Sequence, residues 1–339
     1  MEIFITGYNC NLANKFTKVE ASVILGTNFT FGELFLDRNS EFFPGRSDEK
    51  IMRDDVKSSI VAVNQMLLKF GNKQIEENTN LFVANGVFIE DTGIHLERIL
   101  NVYNQIGNTS SEIEKIKKLY QAVPPLLALQ TLTNSAMSFI AQYTNIKGNN
   151  STFGNTSNSG YLAIHKSVQS LQFKENRRAV VCASNCGGVQ SFLTFSTFYS
   201  NIDNWKESAT SACLLFERNN SGQSNLCRIT KMKNHNSVVF LDQEEEKEEN
   251  YLKLLDGKLA DYCIFSGAYT TFDYENNNKY FQSLYKKTFS YFSEYGSFGA
   301  ANVVMSIIKA TELIEQGIEQ IDIFDRDPYG RICYLRVEK

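Results

Sequence analysis

Few residues in this 339-residue chain combine a reactive side chain with a backbone setting that chemistry could use. Seven cysteines are dispersed: Cys10, Cys182, Cys186, Cys213, Cys227, Cys263 and Cys333. None forms a CxxC pair. An odd number of scattered thiols fits a reducing compartment better than a disulfide-stapled one, so the expected location is the cytoplasm. Cys186, in Ser-Asn-Cys-Gly-Gly, follows an apolar strand-like run and precedes two glycines. A thiol on such a turn is a candidate nucleophile if its thiolate is stabilised. The alternative is a plain loop thiol. His95, His165 and His235 are isolated from ligand partners, and none has HExxH or Cys/His spacing, so no metal site is expected. There is no GxxxxGK[ST] and no GxGxxG after a strand, and no cofactor is expected.

The bulk properties narrow the classes further. The chain is 42% hydrophobic and 21% charged, an ordinary globular balance, with a formal net charge of -4. That charge provides no basic field for nucleic acid. No apolar run approaches the roughly 18–20 residues of a membrane span. The opening Met-Glu-Ile-Phe-Ile-Thr-Gly reads as a buried strand and not a signal peptide. The acidic run Asp242–Glu249 reads as a solvated loop or the first turn of a helix.

Candidate side chains need elements to hold them. Short β-rich apolar runs cover Glu2–Thr6, Leu81–Val83, Ala179–Ala183, Ser211–Glu217, Cys227–Lys231, Ser237–Leu241, Tyr262–Phe265, Gln320–Phe324 and Ile332–Val337. Helical spacing falls between them. Asp55–Phe70 carries Val56, Ile60, Val63, Leu67 and Phe70 on one face. His95–Tyr103, Glu112–Tyr120, Pro125–Tyr143, Ser159–Leu171 and Ala300–Gln316 are further helices, and Asn219–Asn225 is a hairpin turn. Alternating strands and helices predict an α/β layered fold with helix-covered sheets. The pattern runs twice, once to about Phe198 and again from about Ser208, without a residue-level repeat.

Residues 147–164 (KGNNSTFGNTSNSGYLAI) resemble the nucleophile segment of the β-ketoacyl synthases, KGPN, a short strand, then S-T-A-C-x-S-G/S-x-x-A-I. Lys147, Gly148 and Asn150 match, Ser151–Phe153 supply the strand, and Ser159, Gly160, Ala163 and Ile164 match the helix start. The ungapped alignment puts Ser157 at the nucleophile position. Other segments resemble the family in order: the opening strand, the helical run 123–143, Ala179–Ser184 before Gly187 and Gly188, Ser211–Arg218, and Tyr295–Ala301 before a long helix. The resemblance implies a thiolase-like α/β fold. It has two similar βαβαβαββ halves, here 1–205 and 206–339, in five layers, α-β-α-β-α.

In that family a cysteine at a strand-to-helix turn works with two histidines that assist decarboxylation and stabilise an oxyanion. Here Ala268, within Ser266–Thr271, falls at the first histidine position and Gly296 at the second. The glycine-rich carboxy-terminal turn is reduced to Asp327–Gly330. A serine hydroxyl needs a base to become a nucleophile, and neither Ala268 nor Gly296 is one. Ser157 therefore reads as an inert remnant whose hydroxyl could cap the following helix. No catalytic residue is expected.

Family members without the cysteine are chain-length factors. The resemblance thus implies a non-condensing subunit, a pseudoenzyme. It would pair with an active ketosynthase, through the strand Ala179–Ser184, around chains carried by an acyl carrier protein. The setting would be fatty-acid- or polyketide-like biosynthesis, such as an aryl-polyene or flexirubin-type pigment. Two alternatives stay open: a thiolase-fold acyltransferase or condensing enzyme using Ser157 or Cys186, and a homodimeric acyl-binding protein. The aromatic residues Tyr280, Phe281, Tyr285, Phe289, Tyr291 and Phe292 could line a chain tunnel or simply pack. His165 reads as a packed residue, and His95 and His235 as surface residues, the latter in a polar turn.

Overall fold

The structure is a computed structural model. It describes residues 2–20, 28–34, 36–70, 78–86, 101–106, 111–122, 132, 134–154, 157–173, 177–199, 201–218, 225–236, 244–255 and 257–339. In chain order, β1 (Ile3–Glu20), β2 (Asn28–Leu34), α1 (Arg46–Glu49), α2 (Asp54–Phe70) and β3 (Asn80–Asn85) come first. They are followed by α3 (Glu112–Ala122), α4 (Ser135–Thr144), β4 (Asn150–Gly154), α5 (Asn158–Ser170) and β5 (Arg178–Asn185). Next are α6 (Val189–Phe195), β6 (Trp205–Ser208) and β7 (Thr210–Arg218). The rest is β8 (Cys227–Asn236), α7 (Glu244–Leu254), β9 (Tyr262–Ser266), α8 (Thr271–Leu284), β10 (Lys287–Phe289), α9 (Phe292–Tyr295), α10 (Asn302–Glu315), β11 (Gln320–Arg326) and β12 (Arg331–Glu338).

The strands repeat one plan. The first set lies in the order β4-β3-β5-β7-β1 and the second in the order β10-β9-β11-β12-β8. Within each set the order is third, second, fourth, fifth, first. The first three positions of each layout are parallel and the last two antiparallel. With their helices the sets read β1-α2-β3-α4-β4-α5-β5-β7 and β8-α7-β9-α8-β10-α10-β11-β12, the two expected βαβαβαββ halves. A short antiparallel contact, Phe4 to Arg228 and Ile5 to Cys227, joins them. On this plan β7 belongs with the first set, because it pairs with β5 and β1. A division by topology falls between Arg218 and Cys227, not at 205/206.

The layers follow from which faces are apolar. Phe82 and Ala84 point to one side of β3 and Leu81 and Val83 to the other, the two-residue alternation of a strand buried on both faces. α5 and α10 lie between the sheets, where Ile164, Val304 and Ile308 meet Phe82, Val181 and Leu214 on one side and Ile264, Ile323 and Leu335 on the other. α2 and α4 cover the outer face of the first sheet through Val56, Ile60, Val63 and Ile140. α7 and α8 cover the second through Tyr251, Leu254, Phe281 and Tyr285. Each such fully buried side chain contributes roughly 1.5–3 kcal/mol. The result is the expected five layers, α-β-α-β-α.

Some local readings differ. β1 continues far beyond Thr6, because its second half forms a hairpin with β2. His235 lies in β8 opposite Ile332, not in a turn, because β12 extends the ladder past Lys231. Of the helix at His95–Tyr103, only residues 101–103 are described, and they are helical. Ser237–Leu241, residues 219–224 of the hairpin turn, and most of the run 123–133 fall outside the described residues.

Candidate functional site

Ser157 stands just ahead of α5 and is fully buried. Its backbone is already helical, φ −56° and ψ −34°, and its side chain caps nothing. An N-cap side chain reaches back to the helix from an extended backbone, which Ser157 does not have. The capping role is thus replaced by a long-range bond: the hydroxyl donates to the Arg326 carbonyl at 3.3 Å. The helix start is pressed against the entry to α10. A Cβ at Gly160 would lie 2.5 Å from the Ala300 carbonyl oxygen, so only glycine allows this approach.

Ala268 follows β9 and is buried. Gly296 ends α9 with φ +82°, where a side chain is strained. A Cβ there would also sit 2.5 Å from the backbone of Lys206. Backbone bonds hold that approach: Ser297 N–H donates to the Lys206 carbonyl at 3.0 Å, and Ser208 N–H to the Ser297 carbonyl at 2.8 Å. Ala268 and Gly296 line one small cavity with Ser266, Ser290, Ser297 and Asn302, with room for about a single water.

Asp325 links Ser157 to that cavity. It is paired with Ser266 across β9 and β11, and the Ser266 hydroxyl donates to its Oδ1 at 2.7 Å. Ser157 and Asn302 also face it. Burial pushes the Asp325 carboxyl up to about 7, although the surrounding hydroxyls oppose the shift. Glu207, on β6, is its counterpart nearby. It is fully buried, accepts from Asn185 Nδ2 at 3.0 Å and Ser191 Oγ at 2.9 Å, and is pushed up to about 7 by burial. Tyr269 is raised well above its usual value by burial and then by the charge of Glu207, with Asp325 adding to it.

Neither a protein-family model nor a curated protein matches the sequence. Solved structures match the architecture. A β-ketoacyl synthase from Burkholderia phymatum STM815 aligns with TM-score 0.75 and 12% identity, covering 100% of this chain and 99% of that one. The ishigamide ketosynthase/chain length factor gives the same values. A structure of a type II polyketide synthase acyl-carrier protein in complex with its ketosynthase bound to the hexaketide aligns with TM-score 0.70 and 14% identity, covering 99% of both chains. The chain has the ketosynthase fold.

On this ketosynthase fold, the three positions singled out by sequence lie around one buried region: Ser157 on Asp325, and Ala268 and Gly296 on the adjoining cavity. Cys186 belongs to a different cluster. It is half-buried after β5, and its thiol faces Asp55. Reactive thiols have a cation or an imidazole as neighbour; the neighbour here is a carboxylate. Asp55 is gripped by Arg53 at 2.9 and 2.8 Å and by Ser184 Oγ at 2.9 Å. Burial pushes Asp55 up, but the Arg53 guanidinium outweighs it, and the group ends below its usual value.

His165 stacks on Tyr161, with centroids 6.0 Å apart. Of the six aromatic residues considered for a tunnel, Phe281 and Tyr285 pack in the outer layer and only Tyr291 and Phe292 reach the cavity. The strand expected to face a partner, β5, is paired on both sides, with β3 and β7. The open edge of the first set is β4.

The sequence reading missed Asp325, Glu207, Tyr269, Ser266 and Asn302 as site residues. One signal was available for Asp325: it interrupts the buried strand Ile-Asp-Ile-Phe-Asp with a charge, and buried strands seldom carry an unpaired one. No local pattern marked Glu207. Among the described residues no helix is long and apolar enough to cross a membrane, and no three His, Cys, Asp or Glu side chains are grouped to hold a metal ion.

Proposed function

We propose that this chain is a non-condensing, chain-length-factor-like subunit that pairs with an active ketosynthase in fatty-acid- or polyketide-like biosynthesis. The backbone at Gly296 carries the reading. The position of the second histidine has left-handed backbone and lies against Lys206, so an imidazole there requires the chain to be rebuilt. The degenerate positions Ser157, Ala268 and Gly296 are all buried. In this reading the cytoplasmic partner supplies cysteine and histidines and receives the acyl carrier protein, and an aryl-polyene or flexirubin-type pigment is the expected product class.

The partner docks on the β4 edge. That edge offers five residues, Asn150–Gly154, without a charged side chain. The other open edge, β10, has three residues and carries Lys287 next to Lys286. Lysines on a short strand discourage edge pairing, and an uncharged edge invites it.

A second reading has one observation in its favour: Asp325 could serve Ser157 as a base. Against it, the hydroxyl is fully buried and bonded to a carbonyl. Intact-mass measurement after incubation with malonyl- and acyl-carrier protein separates the readings. No adduct is expected on the purified chain, and an acyl group on Ser157 or Cys186 sinks the proposal. Co-expression with a cysteine-bearing ketosynthase should give a stable heterodimer. A lone homodimer would favour the acyl-binding alternative.

A further inference from the structure

We propose that the cavity between Ala268 and Gly296 is a binding site for one water molecule, held by Ser266 and Ser290, which connects the buried Asp325 carboxyl to solvent. The inference is independent of any partner subunit.

The size of the cavity decides the ligand class. It is close to the minimum that admits a water and is too small for an acyl chain. Its lining decides occupancy. Apolar cavities of this size stay dry, whereas a water persists where two to four polar groups meet it. Here Phe292 and Phe298 form the apolar wall, and Ser266, Ser290, Ser297 and Asn302 the polar one.

The hydrogen-bond inventory shows which groups are spare. Ser290 Oγ accepts from the Phe292 N–H at 3.3 Å and keeps its own hydrogen. Ser266 Oγ gives its hydrogen to Asp325, accepts from Ser306 Oγ at 3.4 Å, and keeps its second lone pair. Ser297 Oγ already accepts from Gly299 N–H and from Asn302 Nδ2, both at 3.2 Å, and serves as wall. A water between Ser290 and Ser266 accepts from the first and donates to the second. Its orientation reinforces the Ser266 bond to Asp325, since chained hydrogen bonds polarise one another.

Asp325 has reason to need this connection. Its Oδ2 is buried without a hydrogen-bond partner. The charged or titratable groups around it are Asp327 from the β11–β12 turn, Tyr251 from α7, Tyr269 after β9, and Cys333 from β12. None of these is a cation. Its β11 neighbour Arg326 is buried, with Nε and Nη1 lacking hydrogen-bond partners. To release its proton, Asp325 donates the acid hydrogen to Ser266 Oγ, the Ser266 hydrogen turns to the water, and the water passes one of its own hydrogens outward, which reverses the direction of the bonds that hold when Asp325 is ionised.

The test compares high-resolution crystal structures of the full-length chain and of Ala268→Val, with infrared detection of the carboxylic acid band in heavy water. The wild type should show a density peak within hydrogen-bonding distance of Ser266 Oγ and Ser290 Oγ. Ala268→Val should lose the peak and slow hydrogen–deuterium exchange of the buried acid at least tenfold. If that variant does not fold, Ser290→Ala provides the same comparison by removing one holder of the water. A dry cavity, a co-purified organic molecule in it, or unchanged exchange in the variant that folds would overturn the proposal. Each of these outcomes leaves the pairing and acyl-adduct experiments free to give their own answer.

Discussion

Each half of this fold buries a carboxyl beside the ends of its second and fourth strands, Asp55 from the start of α2 and Asp325 from β11 itself, and the two are treated in opposite ways. In the first half, the ends of β3 and β5 bring Asn85 beside Ser184, and the Ser184 hydroxyl donates to Asp55. In the second, the ends of β9 and β11 bring Ser266 beside Asp325, and the Ser266 hydroxyl donates to Asp325. Arg53 grips Asp55 with two bonds and holds it below its usual value. Asp325 has no such grip, and burial raises it to about 7. The shared topology thus leaves the direction of the shift open, and the Arg53 guanidinium, with smaller help from Ser184 and Cys186, sets it for Asp55.

The largest test of this contrast removes the guanidinium. Arg53→Met should destabilise the chain by about 3–5 kcal/mol in denaturant unfolding, because it leaves Asp55 buried without its counter-charge. Adding Asp55→Leu should recover most of that loss. If Arg53→Met costs no more than an ordinary surface substitution, the ion pair is not what distinguishes the halves.

The next test uses pH. Folded Asp325 keeps its proton up to about 7, whereas the unfolded chain releases it near the usual 3.8. The stabilisation is complete below 3.8 and is lost as pH rises to about 7. Asp325→Asn should therefore unfold later than the wild type at pH 8 and show a flatter pH dependence between those limits, by thermal melting. Glu207→Gln should act in the same direction. Asp55 has the opposite sign: its contribution is present above the unfolded value and fades as acid protonates the folded group. Parallel slopes for Asp325→Asn and wild type would erase the comparison.

Smaller effects follow at Gly296 and Ser157. Gly296→Ala should cost about 1–3 kcal/mol, from left-handed strain and the collision with Lys206. Ser157→Ala should cost only about 0.5–1.5 kcal/mol, the net worth of a hydrogen bond, with no change in acyl-adduct formation. A larger loss at Ser157 than at Gly296 would mean that Ser157 has a role of its own.

Much of this was legible in the linear chain. The face Val56, Ile60 and Val63 fixed α2, and the apolar runs at Leu81–Val83 and Ala179–Ala183 marked strands buried on both faces. Ser157, Ala268 and Gly296 were singled out by local motifs, and the fold brings them around one region. The long β1–β2 hairpin was not legible, because its partner β6 lies far along the chain and lends it no local signature. Neither was the pairing of β5 on both sides, which removed it as a partner-facing strand.

By itself the sequence determined the alternation of elements, their apolar faces and the absence of imidazole and thiol at the three positions. Periodicity and residue identity are local properties, so one chain suffices to read them. Only the tertiary structure decided that Gly296 has no space for a side chain, and that Asp325 is pushed up by burial while Asp55 is held below its usual value. Those outcomes depend on what lies across space: the Lys206 backbone, an uncompensated burial and one arginine. Desolvation and steric exclusion come from neighbours distant in sequence, and no pattern along the chain encodes them.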